Sequence, residues 1–177
     1  MNKLIIISAP SGCGKTSLVK ALLEIRDDIC VSISHTSRPK REGDKNGVDY
    51  HFVSDSEFQN LVDNGEFIEW AKVFDNFYGT SQKSLTNSLK KSSVIVEIDW
   101  QGARQLKEIF PDAMSIFIKP PSILELENRL KNRGDDESLI KSRMSEAQNE
   151  LSHQNEYDFL VINDDFNQAL KEIYSII

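Results

Sequence analysis

Five short apolar runs punctuate the chain: Leu4 to Ser8, Cys30 to Ser34, Val94 to Ile98, Met114 to Ile118 and Phe159 to Ile162. Each is too short for a helix, and near-continuous hydrophobicity predicts strands covered on both faces. The segments between them carry hydrophobic positions at helical spacing. Leu18, Leu22 and Ile25 fall at i, i+4 and i+7, and Phe166, Leu170, Ile173 and Ile177 repeat that stripe at the far end, as helices burying one face do. Strands alternating with helices predict an α/β fold. Its core is a five-stranded parallel sheet with helices on both faces and a ligand crevice at the carboxyl ends of the strands.

Two regions break the alternation. From about 34 to 81 the chain carries Asn46-Gly47 and Asn64-Gly65, both turn signals, with short strands expected at Tyr50 to Val53 and Phe67 to Phe74 and a helix at Asp55 to Val62. That pattern predicts a small mixed subdomain. From about 121 to 150, the pair Pro120-Pro121 stops a strand, and Ser122 caps a helix on which Arg129 and Arg133 share a face. A second helix follows on the stripe Ile140, Met144, Ala147 and Leu151, with Asp135, Asp136 and Glu137 at its positive end. Arg143 lies one residue off that stripe and is expected at a rim.

The chemistry is concentrated at the end of the first run, where Ala9-Pro10-Ser11-Gly12-Cys13-Gly14-Lys15-Thr16 leads into the first helix. Its glycines let backbone N–H groups turn inward as a nest for phosphate oxygens, Lys15 adds a point charge, and the Thr16 hydroxyl can ligate Mg²⁺. A nucleoside-triphosphate site is the expectation. The usual pattern opens with glycine where Ala9 stands, so φ must stay negative there. Cys13 lies beside a helix N-terminus, a setting that lowers a thiol pKa if the sulfur is exposed; the alternative is a small side chain filling the loop.

At 177 residues the chain suffices for one domain with small insertions, and no apolar run approaches the roughly 20 residues of a membrane span. Met1-Asn2-Lys3 runs straight into a strand without a signal-peptide pattern, so a cytoplasmic location is expected. A formal net charge of −7 argues against a broad nucleic-acid surface and leaves phosphate recognition to local clusters. Neither Cys13 and Cys30 nor His35, His51 and His153 have metal-ligand spacing. Reduced cysteines and no structural zinc are expected, with the histidines as surface or satisfied polar residues rather than catalytic bases.

An ordered set of motifs extends across nearly the whole chain. After the loop above come Val31-Ser32-Ile33-Ser34-His35-Thr36-Ser37-Arg38, Asn46-Gly47-Val48-Asp49-Tyr50, Phe67-Ile68-Glu69-Trp70, Tyr78-Gly79-Thr80, Asp99-Trp100-Gln101-Gly102, Arg129 to Gly134 and Val161-Ile162-Asn163-Asp164-Asp165. Together they resemble the guanylate kinase family. The resemblance implies the P-loop nucleoside monophosphate kinase fold as one domain over 1–177, with a core at 1–33, 82–120 and 151–177, a GMP-binding subdomain at about 34–81 and a helical lid at about 121–150. It implies transfer of the γ-phosphoryl group of ATP to GMP, and to dGMP, giving ADP and GDP directly and in line with Mg²⁺, an activity that recycles GMP and supplies GTP. The implied partners are ATP and GMP, with no nucleic acid, no membrane, and a monomer or small homo-oligomer.

The resemblance also assigns residues. Ala9 to Thr16 bind ATP, with Lys15 following the transferred group and Thr16 near Mg²⁺. Arg38 and Arg41 offer planar forks for phosphate oxygens, and Tyr50 and Tyr78 offer hydroxyl donors, together matching the family's GMP phosphate site. From the residues alone, Arg38 and Arg41 also read as a solvated charged loop. Guanine presents N1–H and 2-amino donors and an O6 acceptor; Glu69 and Asp99 match positions that take the donors, Ser34 and Thr80 those that donate to O6. Asp99, at a strand's carboxyl end, is a candidate from position alone, whereas Glu69 alone reads as a solvent-facing strand residue. Lys15, Arg38, Arg133 and Arg143 are the implied catalytic residues, the last two closing from the lid. Arg129 assists ATP binding or pairs with a neighbouring acid, and Asn163 lies near the ATP base or is a turn residue.

Three departures stand out: Pro39 follows Arg38 directly, one position earlier than in the family; the segment from Gly134 to Ile140 is slightly short; and no basic tail follows the last helix. Two other classes remain in view. A non-catalytic guanylate-kinase-like module for phosphorylated proteins is disfavoured by Lys15-Thr16 and the lid arginines. A kinase for a phosphorylated sugar needs no guanine reader, which Glu69, Asp99, Ser34 and Thr80 argue against.

Overall fold

The structure, a computed structural model, describes residues 2–134 and 136–177; Asp135, expected at the start of a lid helix, lies outside the described residues. In chain order the elements are β1 (Leu4–Ser8), α1 (Lys15–Ile25), β2 (Ile29–Val31), β3 (His35–Thr36), β4 (His51–Phe52), α2 (Asp55–Asp63), β5 (Phe67–Val73), β6 (Asn76–Ser81), α3 (Gln82–Leu89), β7 (Ser93–Glu97), α4 (Trp100–Ile109), β8 (Met114–Lys119), α5 (Ile123–Asn132), α6 (Glu137–Ser152), β9 (Phe159–Ile162) and α7 (Phe166–Ile176). A 3₁₀ turn spans Gln154–Glu156.

The α/β expectation holds. The five predicted runs give a parallel sheet in the order β2-β7-β1-β8-β9. β1 is buried at every position, as are Val94, Ile95 and Val96 of β7 and Ile116, Phe117 and Ile118 of β8, which is why these strands read as unbroken apolar runs. A second, mixed sheet has the order β4-β3-β6-β5, with β3 parallel to β4 and antiparallel to β6. The chain folds into two compact units: one is Asp28–Met114 with the N-terminal segment through Ile6, the other Ile7–Asp27 with Ser115–Ile177. Among the described residues, no helix is long and apolar enough to cross a membrane.

Two elements differ from the pattern reading. The run Cys30 to Ser34 is not one strand: β2 ends at Val31, and the chain leaves the large sheet to enter the small one as β3. The expected strand at Phe67 to Phe74 ends at Val73 and turns back through Phe74 and Asp75 into β6, with Phe74 at φ 53°. A bulky residue at positive φ is not a usual hairpin signal, and Gly79 interrupts the β-forming run Phe77-Tyr78-Thr80. The β5–β6 pairing carries a bulge between Phe67 and Glu69. Bulges re-aim side chains, and here Glu69 and Ala71 are buried while Trp70 and Lys72 are exposed.

Candidate active site

β1, whose last two residues open the second unit, feeds directly into the phosphate-loop sequence. Gly12 and Gly14 have φ of 94° and 84°, and the Cys13 N–H bonds the Pro10 carbonyl at 3.1 Å, closing the turn. Space adds to the glycine requirement: a Cβ at Gly12 would come within 3.0 Å of Leu130, and one at Gly14 within 2.6 Å of the Asn163 Nδ2. Ala9 is not among the positive-φ residues, so alanine fits there. Lys15 and Thr16 occupy the first turn of α1, Lys15 half-buried and Thr16 exposed. A cation at a helix N-terminus is opposed by the macrodipole, so Lys15 is not there for helix stability.

Asn163 is buried at the end of β9, and its Nδ2 donates to the Cys13 carbonyl at 2.7 Å. Its side chain therefore holds the loop backbone. Arg129 pairs with Glu125 at 2.9 Å, the i, i+4 alternative, yet it stands close enough to Cys13 to act on the thiol. Cys13 is fully buried, and burial pushes its thiol up to about 12 against the charges of Arg129 and Lys15. The cysteine fills the loop and is not an activated nucleophile.

Arg133 caps the C-terminal end of α5 and is exposed. Arg143 corrects the rim expectation, since only 6% of it is exposed. The buried face of α6 is Ile140, Arg143, Ala147 and Glu150, spaced i, i+3, i+7 and i+10. A hydrophobicity stripe cannot reveal a face that includes two charged residues, so the sequence places it one position off.

In the first unit, four expected phosphate contacts cluster. Arg38 is 9% exposed, donates to Asp44 Oδ2 at 2.9 Å, and lies over the rings of Tyr50 and Phe52 at 5.4 and 5.5 Å. Tyr50 and Tyr78 meet edge to face at 5.9 Å. Burial pushes the Tyr50 hydroxyl up to about 12, with Glu97 and Tyr78 adding to it and Arg38 and Arg41 opposing. Burial also works against the Asp44 charge, but the Arg41 N–H and the Arg38 guanidinium hold that carboxyl below its usual range. Asp44 is a residue the sequence reading passed over. It sets both arginines, and its place three residues after Arg41 beside Gly43, at φ 88°, marks the turn that lets it do so.

The expected base-reading residues form a second cluster in the same unit. Glu69 pairs with Thr80 across β5–β6, and the β3–β6 register that pairs His35 with Gly79 runs on toward Ser34 beside Thr80. All three are buried, Glu69 at 3% exposure, which overturns its solvent-facing alternative. Asp99 caps α4, its Oδ1 accepting from the Gly102 N–H at 3.0 Å and its Oδ2 from the Gln101 amide at 2.8 Å. By hydrogen-bond geometry the buried Glu69 Oε1 and Thr80 Oγ1 have no partner among the described residues, although Thr80 stands close enough to Glu69 to favour its charged form. His35, expected to be a surface or satisfied polar residue, packs on His51 at 4.7 Å, and its buried Nδ1 has no partner among the described residues. Burial, then His51, lowers its pKa to about 4, so it is neutral near pH 7.

Burial raises the Glu69 pKa from 4.5 to about 7; Thr80 alongside pulls it down and the Asp99 charge adds to the rise. The folded state then holds a proton that the unfolded chain has lost between those two values. Stability contributed by this group is greatest below pH 4.5 and falls as pH rises to about 7. Thermal melts of the ligand-free protein at pH 5.5 and 8 should show a drop in Tm that Glu69→Gln reduces. An identical drop in the variant would assign it to other groups.

With its nest placed after a strand of a parallel sheet and before a helix, the chain falls in the class of P-loop nucleotide-binding proteins. The guanylate kinase family model matches residues 1–177. The chain is 53% identical over 176 residues to a guanylate kinase of Pseudoalteromonas translucida, covering 98% of this chain and 85% of that one. It is 51% identical over 181 residues to a guanylate kinase of Coxiella burnetii, covering 100% and 88%. The crystal structure of guanylate kinase from Anaplasma phagocytophilum matches with a TM-score of 0.81 at 37% identity, over 99% of this chain and 84% of that one. The chain belongs to the guanylate kinase family and is a phosphotransferase enzyme of that family.

Proposed function

We propose that the protein transfers the γ-phosphoryl group of ATP to GMP, directly and in line, with Mg²⁺. The observation that carries this reading is the buried pair of unpartnered atoms, Glu69 Oε1 and Thr80 Oγ1, beside Asp99. Buried polar atoms without partners are costly and call for a ligand that supplies them. Guanine offers N1–H and 2-amino donors to the carboxylates and O6 to the hydroxyls of Thr80 and Ser34. Adenine offers neither. None of these contacts uses a 2′-hydroxyl, so dGMP is accepted as well.

In this reading the Arg38 and Arg41 guanidiniums and the Tyr50 and Tyr78 hydroxyls hold the GMP phosphate. The Gly12–Gly14 nest and Lys15 hold the ATP phosphates, Asn163 keeps the nest in shape, and Arg129 adds charge beside it. Thr16, exposed on the first turn of α1, is the residue that would hold Mg²⁺, which when bound neutralises phosphate charge. A GMP phosphate oxygen attacks the γ-phosphorus, the bond to the bridging β-oxygen breaks, and ADP leaves with that electron pair. No protein base is needed, because the second pKa of a phosphate monoester is about 6 and its dianion is abundant at neutral pH. The segment 121–150 is the lid, with exposed Arg133 closing on the transferred group and buried Arg143 a fixed charge; 34–81 is the GMP-binding subdomain, and 1–33, 82–120 and 151–177 the core. ATP made chiral at the γ-phosphorus should give GDP with inverted configuration. Retention would demand a covalent phospho-enzyme and overturn the direct mechanism.

A further inference from the structure

Of the eight glycines, six have positive φ and are required by the backbone; Gly79 and Gly102 are not. A Cβ at Gly79 would meet the rings of Phe58 and Phe67, an apolar packing constraint. Gly102 is different, for it is the third residue of α4, where glycine weakens a helix. A Cβ there would stand 2.5 Å from Glu69 Oε2 and 3.2 Å from both Glu69 Cδ and Ile98 Cβ, so the carboxylate is the tightest neighbour. The empty space beside Gly102 is filled by a carboxylate.

The same helix turn touches the second carboxylate and the strand that carries the first. The Gly102 N–H donates to Asp99 Oδ1 at 3.0 Å. One turn on, the Gln105 amide takes both backbone groups of Trp70: the Trp70 N–H donates to Gln105 Oε1 at 3.1 Å, and Gln105 Nε2 donates to the Trp70 carbonyl at 2.9 Å. Trp70 directly follows Glu69. Because Glu69 is buried, its carboxylate cannot step aside into solvent, and any displacement moves it relative to Asp99.

We propose that Gly102 is a specificity-determining positioning residue, its bare Cα fixing where the Glu69 carboxylate sits and its N–H fixing Asp99, with Gln105 clamping the strand between them. This rests on the reading of Glu69 and Asp99 as the groups that meet guanine. Displacing a positioned group by about 1 Å can cost up to about 100-fold.

The test uses the full chain with Gly102→Ala, Gln105→Ala and Glu69→Gln, each assayed with GMP, IMP and ATP as the varied substrate. Alanine is the better helix former, but its Cβ has to displace a buried carboxylate, which is destabilising, so the two effects oppose and Gly102→Ala should move Tm little. It should raise the GMP KM about tenfold or more while kcat at saturating GMP and the ATP KM stay within about threefold. It should also narrow the preference for GMP over IMP, which lacks the 2-amino donor and loses less. Gln105→Ala should act in the same direction and less strongly. Combining Gly102→Ala with Glu69→Asp, which withdraws the carboxylate, should be no worse than Glu69→Asp alone. If Glu69→Gln impairs GMP use while both helix variants keep the wild-type GMP KM and GMP:IMP ratio, Gly102 has no positioning role and the base reading stands. Parallel losses for GMP and ATP, or a large fall in Tm that Glu69→Asp does not relieve in the double variant, would reduce Gly102 to general packing. A Glu69→Gln enzyme with unchanged GMP kinetics would remove the base reading itself.

Discussion

Lys15→Met should leave a folded protein whose phosphoryl transfer is slower by about 100-fold or more. Methionine keeps most of the length and the apolar stem of lysine and removes the ammonium, both its charge and its N–H donors. In a site closed to water, no solvent dipole replaces a fixed charge on the transferring group, and the whole loss falls on the barrier. Stability should be unchanged or slightly higher, because Lys15 opens α1 at the end where the macrodipole opposes a cation. A coupled ADP assay and a thermal melt on the same sample check both halves. Near-normal turnover in the variant would exclude the role given to Lys15.

The second large effect is in the choice of acceptor. A site built to pair with a substrate's donors leaves its own buried groups unpaired when an analogue lacks them, and such sites discriminate by about 10⁴ or more. With ATP as donor, kcat/KM should favour GMP over AMP, CMP and UMP on that scale, with IMP intermediate. Glu69→Gln should raise the GMP KM, since the amide presents a donor or a weaker acceptor to N1–H and the 2-amino group. It should not admit AMP, because Ser34 and Thr80 still donate where adenine carries its own 6-amino donor. Equal wild-type activity on GMP and AMP, or activity on a phosphorylated sugar alone, would falsify the acceptor assignment and leave the nucleotide-binding fold untouched.

How much of this was legible from residue order depends on whether the signal is local. β1 and the loop after it are local: an unbroken apolar run, two glycines and a lysine define both strand and nest. Ser122 as a cap is local too, and its hydroxyl accepts from the Glu125 N–H at 3.0 Å. The passage from β2 to β3 is not, because a run of alternating Val, Ser and Ile suits either sheet and only long-range pairing decides which. Glu69 looked exposed because a carboxylate next to tryptophan in a short strand usually is; the bulge that turns it inward leaves no mark in composition. Arg143 escapes the pattern for a related reason, since a stripe drawn through apolar residues alone leaves out the charged members of the buried face of α6. Asp44, Gly102 and Gln105 carry no motif of their own. They become visible only through what they hold.

The small sheet ends at β5, whose far side has no strand beside it among the described residues. Unpaired edges of this kind, here bearing Phe67, Ile68 and Trp70, recruit strands from other molecules and seed aggregates. The Gln105 amide occupies both backbone groups of Trp70 as a neighbouring strand would, and exposed Lys72 adds a charge two residues on. One glutamine and one lysine thus act as a local stopper against intermolecular sheet growth, a burden of solubility carried by side chains of one helix and one strand.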